Sequence, residues 1–152
     1  MDLIEQCLKS TIYDPFHNSE SLEFYGDAIL KLVASFVVFM NNPEFDEHNL
    51  SIKRQDFISN RFLRLINICN KFYEHMMTEK PFMKFPGFEI FKEGTLEIPL
   101  GEEIIPEKKL ADLIEALIGV YFYWYHDINA CTGLMHAIGI LDEPIMRVKF
   151  IY

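Results

Sequence analysis

Positive charge is scarce in this chain: 14 lysines and arginines stand against 23 aspartates and glutamates, a net charge of −9 over 152 residues. That balance excludes a non-specific grip on nucleic acid by the whole surface, because such binding depends on neutralising phosphates. Cysteine is also scarce. Cys7, Cys69 and Cys131 are odd in number, far apart and without a CxxC pair. This excludes a disulfide framework and fits a reducing compartment, with the three thiols expected as small core residues. Long apolar runs are missing: the longest uncharged apolar stretches, 32–40 and 116–125, fall short of the ~18 residues that a membrane span requires. The opening Met1-Asp2-Leu3-Ile4-Glu5-Gln6 has no basic segment leading into an apolar one, so no secretory leader is expected. An intracellular protein, cytoplasmic or nuclear and away from membranes, is the expectation. The five histidines (His17, His48, His75, His126, His136) form no HxxxH or ExxH pattern, which removes the zinc proteases and argues against a di-iron bundle. P-loop and GxGxxG patterns are absent as well.

What the chain does have is apolar mass. Half of it is hydrophobic, with 14 Phe and 7 Tyr, and a chain of this size buries roughly 69% of its unfolded surface. One domain over 1–152 is expected, and it reads as all-α. Leu3, Ile4, Cys7 and Leu8 lie at helical spacing in 2–13, with Asp14-Pro15 as the stop. Asn18-Ser19 resembles a cap, followed by a helix through Met40 that Asn41-Asn42-Pro43 ends. Helices are expected over 47–59, 61–76, from Glu107 to Trp124, and over about 129–139. Four of the seven prolines fall between 78 and 106. An irregular excursion over 72–106 is therefore expected, with short strands at 88–91 and 95–98. Its alternating Phe82, Phe85, Phe88, Phe91 and Lys80, Lys84, Lys92 could stack on single-stranded bases. The net −2 over 71–109 favours a loop packed on its own body instead.

Charge is unevenly placed. Residues 47–71 carry Lys53, Arg54, Arg61, Arg64 and Lys71 against Glu47 and Asp56, a local +3 on an acidic chain. Such a face is either an ordinary solvated one or a contact for a polyanion on one side. Two acidic helices are more informative. In 20–31, Glu20, Glu23 and Asp27 fall at i, i+3 and i+7, one stripe that Lys31 continues. Alone, this reads as the wet face of an amphipathic helix. In the second helix Asp112 and Glu115 are i, i+3 neighbours, and Glu115 is the only charge between Leu113 and Tyr125. A carboxylate among Leu113, Ile114, Leu117, Ile118, Val120 and Tyr121 needs a partner, and a cation is the obvious one. Two such helices side by side could converge Glu23, Asp27, Asp112 and Glu115 on one point. Gly26 and Gly119 would permit the close approach, each costing about 1 kcal/mol of helix propensity. Four carboxylates without imidazole or thiolate favour Mg²⁺, with Mn²⁺ as a substitute, over zinc. Cages of this kind serve in-line displacement at phosphorus.

Leu22-Glu23-Phe24-Tyr25-Gly26-Asp27-Ala28-Ile29-Leu30 resembles the signature helix of the ribonuclease III endonuclease domain, a LEFLGDA-type run. Leu110-Ala111-Asp112-Leu113-Ile114-Glu115-Ala116-Leu117-Ile118-Gly119 is similar to the family's second acidic motif. Between them, Leu50-Ser51, Phe57-Ile58-Ser59-Asn60 and Leu63 resemble its LS…LVSN…L stretch. The three motifs stand in the family's order and cover about 20–125. The resemblance implies an all-α domain that pairs, either as a homodimer or as a pseudo-dimer with a second ribonuclease III domain. It implies metal-dependent cleavage of double-stranded RNA, leaving 5′-phosphates, 3′-hydroxyls and short 3′ overhangs, in small-RNA production or RNA processing. It assigns Glu23, Asp27, Asp112 and Glu115 to the metal-linked acids and Glu20 to the additional catalytic acid before them. Lys108 matches a lysine that lies near the scissile phosphate in Dicer-type domains, and Lys53, Arg54 and Arg61 are candidate RNA contacts. The long excursion is also Dicer-like, Leu8-Lys9-Ser10-Thr11 is at best a remnant of the family's THxS element, and no double-stranded-RNA-binding domain is expected in this chain. The competing expectation is a noncatalytic RNA-binding or dimerisation scaffold.

Overall fold

The computed structural model of the chain describes residues 2–9, 14, 16–77 and 107–141, and these are helical. The order is α1 (Leu3–Leu8), α2 (Glu20–Asn41), α3 (Glu47–Ile58), α4 (Asn60–Asn70), a 3₁₀ turn (Phe72–His75), α5 (Glu107–Tyr125) and α6 (Ile128–Ala137). The expected strands at 88–91 and 95–98, and the rest of the excursion from 78 to 106, lie outside the described residues.

Most boundaries follow local chemistry. Asp46 and Asp127 cap α3 and α6 by accepting from the amides of Asn49 and Asn129. Ser59 ends α3 and caps α4, its hydroxyl accepting from the Phe62 amide. At α2 the capping oxygen comes one residue earlier than the cap position: Asn18 Oδ1, not Ser19, accepts from the Glu20 amide at 3.0 Å. α6 closes with Gly139 at φ 90°, as the Gly139 and Ile140 amides return to the carbonyls of His136 and Met135.

Two helices are shorter than their apolar spacing predicts. α1 stops at Leu8 instead of running to 13, because Lys9 turns extended. The Leu8 carbonyl there accepts from Met77 and the Lys9 carbonyl from Ser19. α4 stops at Asn70 instead of reaching 76. Lys71 takes a left-handed conformation, φ 58°, and Asn70 Nδ2 donates to the carbonyls of Ile66 and Ile138 at 2.8 and 2.9 Å. The side-chain amide thus ties the end of α4 to the turn after α6.

α5 is the central element. Leu110, Ala111, Leu113, Ile114, Ala116, Ile118 and Val120 are all buried, as expected of a helix that is apolar all round. One side packs into the main core with Leu30, Val33, Ala34 and Val37 of α2, Leu63 and Ile66 of α4, and Cys131 and Met135 of α6. The other side meets Cys7 of α1, with Leu22. The thiol expectation needs one correction: Cys7 and Cys131 are buried, but Cys69 is exposed. It lies on the solvent side of α4, away from buried Leu63, Ile66 and Asn67. No described helix is long and apolar enough to cross a membrane.

α2 and α5 touch backbone to backbone. A Cβ at Gly26 would overlap the Glu115 carbonyl oxygen and stand 2.7 Å from the Gly119 amide nitrogen. A Cβ at Gly119 would overlap the Leu22 carbonyl oxygen. Both obstacles are main chain and cannot rotate away. Gly133, on the solvent side of α6, has nothing within 4 Å of such a Cβ. We therefore expect Gly26→Ala and Gly119→Ala each to cost about 3 kcal/mol or more in urea unfolding. Gly133→Ala should stabilise by about 0.5–1 kcal/mol.

Candidate active site

The glycine contact positions the acids. Glu23 and Asp27 flank Gly26 on α2, while Asp112 and Glu115 precede Gly119 on α5 by roughly two turns and one turn respectively. Clasping the helices at the glycines brings one carboxylate oxygen each from Glu23, Asp112 and Glu115 within 4.8 Å of one another. Asp112 and Glu115 are 6% and 9% exposed, and Glu23 is half-buried.

These charges are partly neutralised. Lys108, one turn before Asp112, donates to Asp112 Oδ1 at 2.9 Å and to Glu23 Oε1 at 3.2 Å. Among the described residues Glu115 makes no ion pair. Its burial, reinforced by the carboxylates of Asp27, Asp112 and Glu23, pushes its pKa up to about 7. Burial and Asp112 also raise the Glu23 carboxyl, against the pull of Lys108. The Lys108 ammonium is held well above the ordinary lysine range, chiefly by its hydrogen bond to Asp112. Three carboxylates, two of them buried and one without an ion pair among the described residues, are a donor set suited to a hard divalent cation. The two buried thiols do not compete with it, since burial pushes Cys7 and Cys131 up to about 12 and 11.

A model of the Ribonuclease III domain matches residues 20–124. This chain belongs to the ribonuclease III domain family. Among its relatives, Dicer-like protein 2 of Phaeosphaeria nodorum is 32% identical over 125 residues, covering 79% of this chain and 9% of that protein. Ribonuclease 3-like protein 2 of Arabidopsis thaliana is 28% identical over 153 residues, covering 93% of this chain and 38% of the relative. The chain therefore spans well under half the length of either. The nuclease domain of ribonuclease III from Campylobacter jejuni shares the fold, with a TM-score of 0.67 at 21% identity over 90% of this chain and 84% of that one. The helical ribonuclease III fold expected from the motifs is the one observed.

Within this ribonuclease III domain the remaining candidate residues are dispersed. Asp27 stands beside the trio, close enough to raise Glu115, but its Oδ2 is held by Lys31 at 2.7 Å. Glu20 is exposed at the start of α2 and is not part of the trio. Lys53 pairs with Asp56 at 3.5 Å, and Arg61 is exposed at the start of α4. Arg54 folds against α2, where Nη1 donates to Ser35 Oγ at 3.0 Å. Its Nε is buried with no hydrogen-bond partner. That residue ties α3 to α2 and does not present its guanidinium as a free surface cation.

Asn67 was not singled out from the sequence. It is fully buried, and its Nδ2 donates to the Leu110 carbonyl at 2.7 Å. It holds α4 against the turn of α5 that carries Lys108 and Asp112. An asparagine among the apolar positions of an amphipathic helix was the available signal.

Glu115 makes the metal-free protein sensitive to pH. The unfolded chain ionises this carboxyl near 4.5 and the folded chain near 7. Between these values the unfolded state gives up its proton while the folded state keeps it, so stability falls as pH rises and is flat above that window. The loss is on the order of 3 kcal/mol. In EDTA, Glu115→Gln should flatten this profile and make the protein more stable at pH 8 by on the order of 2 kcal/mol. Urea unfolding at pH 5, 6, 7 and 8 checks it.

Proposed function

We propose that this ribonuclease III domain is a divalent-metal-dependent endoribonuclease acting on double-stranded RNA in an RNA-processing or small-RNA pathway inside the cell. The observation that carries the reading is the convergence of Glu23, Asp112 and Glu115 from two helices, beside Asp27, in a chain with Dicer-like relatives. No structural need of the fold explains three acids at that point. Glu115 makes no ion pair among the described residues, and a cation joining it at neutral pH would offset the cost of its burial.

In this reading Glu23, Asp112 and Glu115 hold Mg²⁺, with Asp27 joining them by releasing Lys31, and Mn²⁺ substitutes. Bound there, the metal supplies an activated water and charge stabilisation for displacement at phosphorus, leaving a 5′-phosphate and a 3′-hydroxyl. The chain's own residues do the rest. The α2–α5 clasp at Gly26 and Gly119 keeps the acids preorganised. Glu20, exposed about one turn before Glu23 on α2, would support the acids from outside. Lys53 and Arg61 offer phosphate contacts, and RNA is recognised by its A-form shape, because side chains cannot read its deep groove.

Pairing belongs to the same reading. Phe24, beside Glu23 on α2, is 80% exposed, and Phe16, just ahead of that helix, is 88% exposed. Large aromatics left this open mark a surface that a second copy or a second ribonuclease III domain covers. Two such sites, one per domain, would cut the two strands and leave the short 3′ overhangs.

Two experiments test this. A long labelled duplex should be cut in Mg²⁺ and not in EDTA, and Glu115→Gln should lower the rate by about a thousandfold or more while the protein stays folded. A dimer that binds duplex and Mg²⁺ yet never cuts would leave only a scaffold role. In sedimentation, Phe24→Glu should shift the protein from dimer to monomer by weakening association about a hundredfold. An unchanged dimer would remove Phe24 from the interface.

A further inference from the structure

The carboxylates of the site are not bare: a lysine of this chain lies where a metal is expected to bind. Lys108 Nζ contacts Asp112 Oδ1 and Glu23 Oε1 together, and these two residues belong to the trio whose oxygens converge. The side chain reaches this position from the first turn of α5 and is 65% exposed, so its stem is free to swing into solvent by rotation of its own bonds.

Local helix energetics do not account for that placement. A cation in the first turn of a helix faces the positive end of the dipole. A lysine preceding an acid by four residues is also the weaker order for an i, i+4 pair. Lys31, by contrast, follows Asp27 by four residues in the favoured order on the outer side of α2. The contact from Lys108 to Glu23 further spans two helices and 85 positions of sequence. The carboxylates hold this ammonium, not the helix.

We propose that Lys108 is the built-in counter-ion of the metal-free site, and that a divalent cation binding to Glu23 and Asp112 displaces it. The inference rests on the metal-site reading above. Like charges cannot share the same pair of carboxylates at close range, so loading the site turns the lysine outward. Its charge then becomes available to an RNA phosphate only when metal is in place. Without metal, the same lysine keeps two clustered carboxylates from repelling each other and opening the helix pair. Binding of metal and the position of Lys108 are thereby coupled in both directions.

The test is Mn²⁺ binding by the whole chain without RNA, followed by the electron paramagnetic resonance signal of free Mn²⁺. Wild type, Lys108→Met, Lys109→Met and Glu115→Gln are compared at pH 8 and low salt. Lys108→Met should bind Mn²⁺ about tenfold more tightly than wild type. Lys109→Met, which removes the same charge one residue away, should stay within about threefold. Metal-free Lys108→Met should also melt below wild type, with the gap closing as Mn²⁺ saturates. Equal or weaker binding by Lys108→Met would overturn the proposal and make the lysine a brace that helps the acids hold metal.

A measurement on the wild type alone guards against a misfolded variant. The Lys108 side-chain nitrogen resonance, protected by its two hydrogen bonds in EDTA, should lose that protection on addition of Mg²⁺. Retained protection in a protein shown to bind Mg²⁺ would equally sink the displacement. If neither wild type nor Lys108→Met bound Mn²⁺, or if Glu115→Gln bound it as well as wild type, the metal-site reading itself would fail first.

Discussion

The site depends on one contact, the meeting of α2 and α5 main chains at Gly26 and Gly119. The carbonyl of Glu115 lies where a side chain on residue 26 would be, so the helix axes are closer than ordinary side-chain packing allows. This proximity lets acids from different helices share a space small enough for one cation. It also places Glu115 within the core, because α5 is wrapped by α2, α4 and α6 on one side and α1 on the other. The convergence of Glu115 with the other acids and its thermodynamic burden have the same origin.

That burden is arranged, not merely tolerated. Three carboxylates at this spacing repel one another, and the chain relieves two of them with Lys108 and leaves the third under-compensated. A site relieved completely by its own side chains would have no affinity left for metal. One left wholly unrelieved would force the two helices apart. The observed arrangement lies between these limits, which is where a preorganised yet fillable site must be.

Much of this was legible in the sequence, for reasons that can be named. The stripe of Glu23 and Asp27, the isolation of Glu115 in an apolar helix and the paired glycines are local patterns, and local patterns survive folding. The fold followed from helical spacing and from caps such as Asp46 and Asp127. What was not legible is set by long-range partners. α1 ends early because Met77 and Ser19 capture its carbonyls, and α4 ends early because Asn70 reaches Ile138. The diversion of Arg54 to Ser35 depends on how α3 lies on α2, and a count of basic residues cannot anticipate it. The pairing of Lys31 with Asp27 is different, a local i, i+4 contact that the stripe on α2 already contained.

The buried amide of Asn67 has a consequence of its own. One hydrogen bond to the Leu110 carbonyl, with Oδ1 left unpartnered, adds little net stability compared with an apolar residue of the same size. Its effect is on alignment. Greasy helices such as α4 and α5 could slide past each other by a turn of about 5.4 Å with little change in buried area, but such a slide would strand the amide without any partner. The asparagine therefore acts as a detent between two smooth surfaces: with the Gly26–Gly119 contact, it favours the longitudinal setting of α5 in which Lys108 reaches both Asp112 and Glu23.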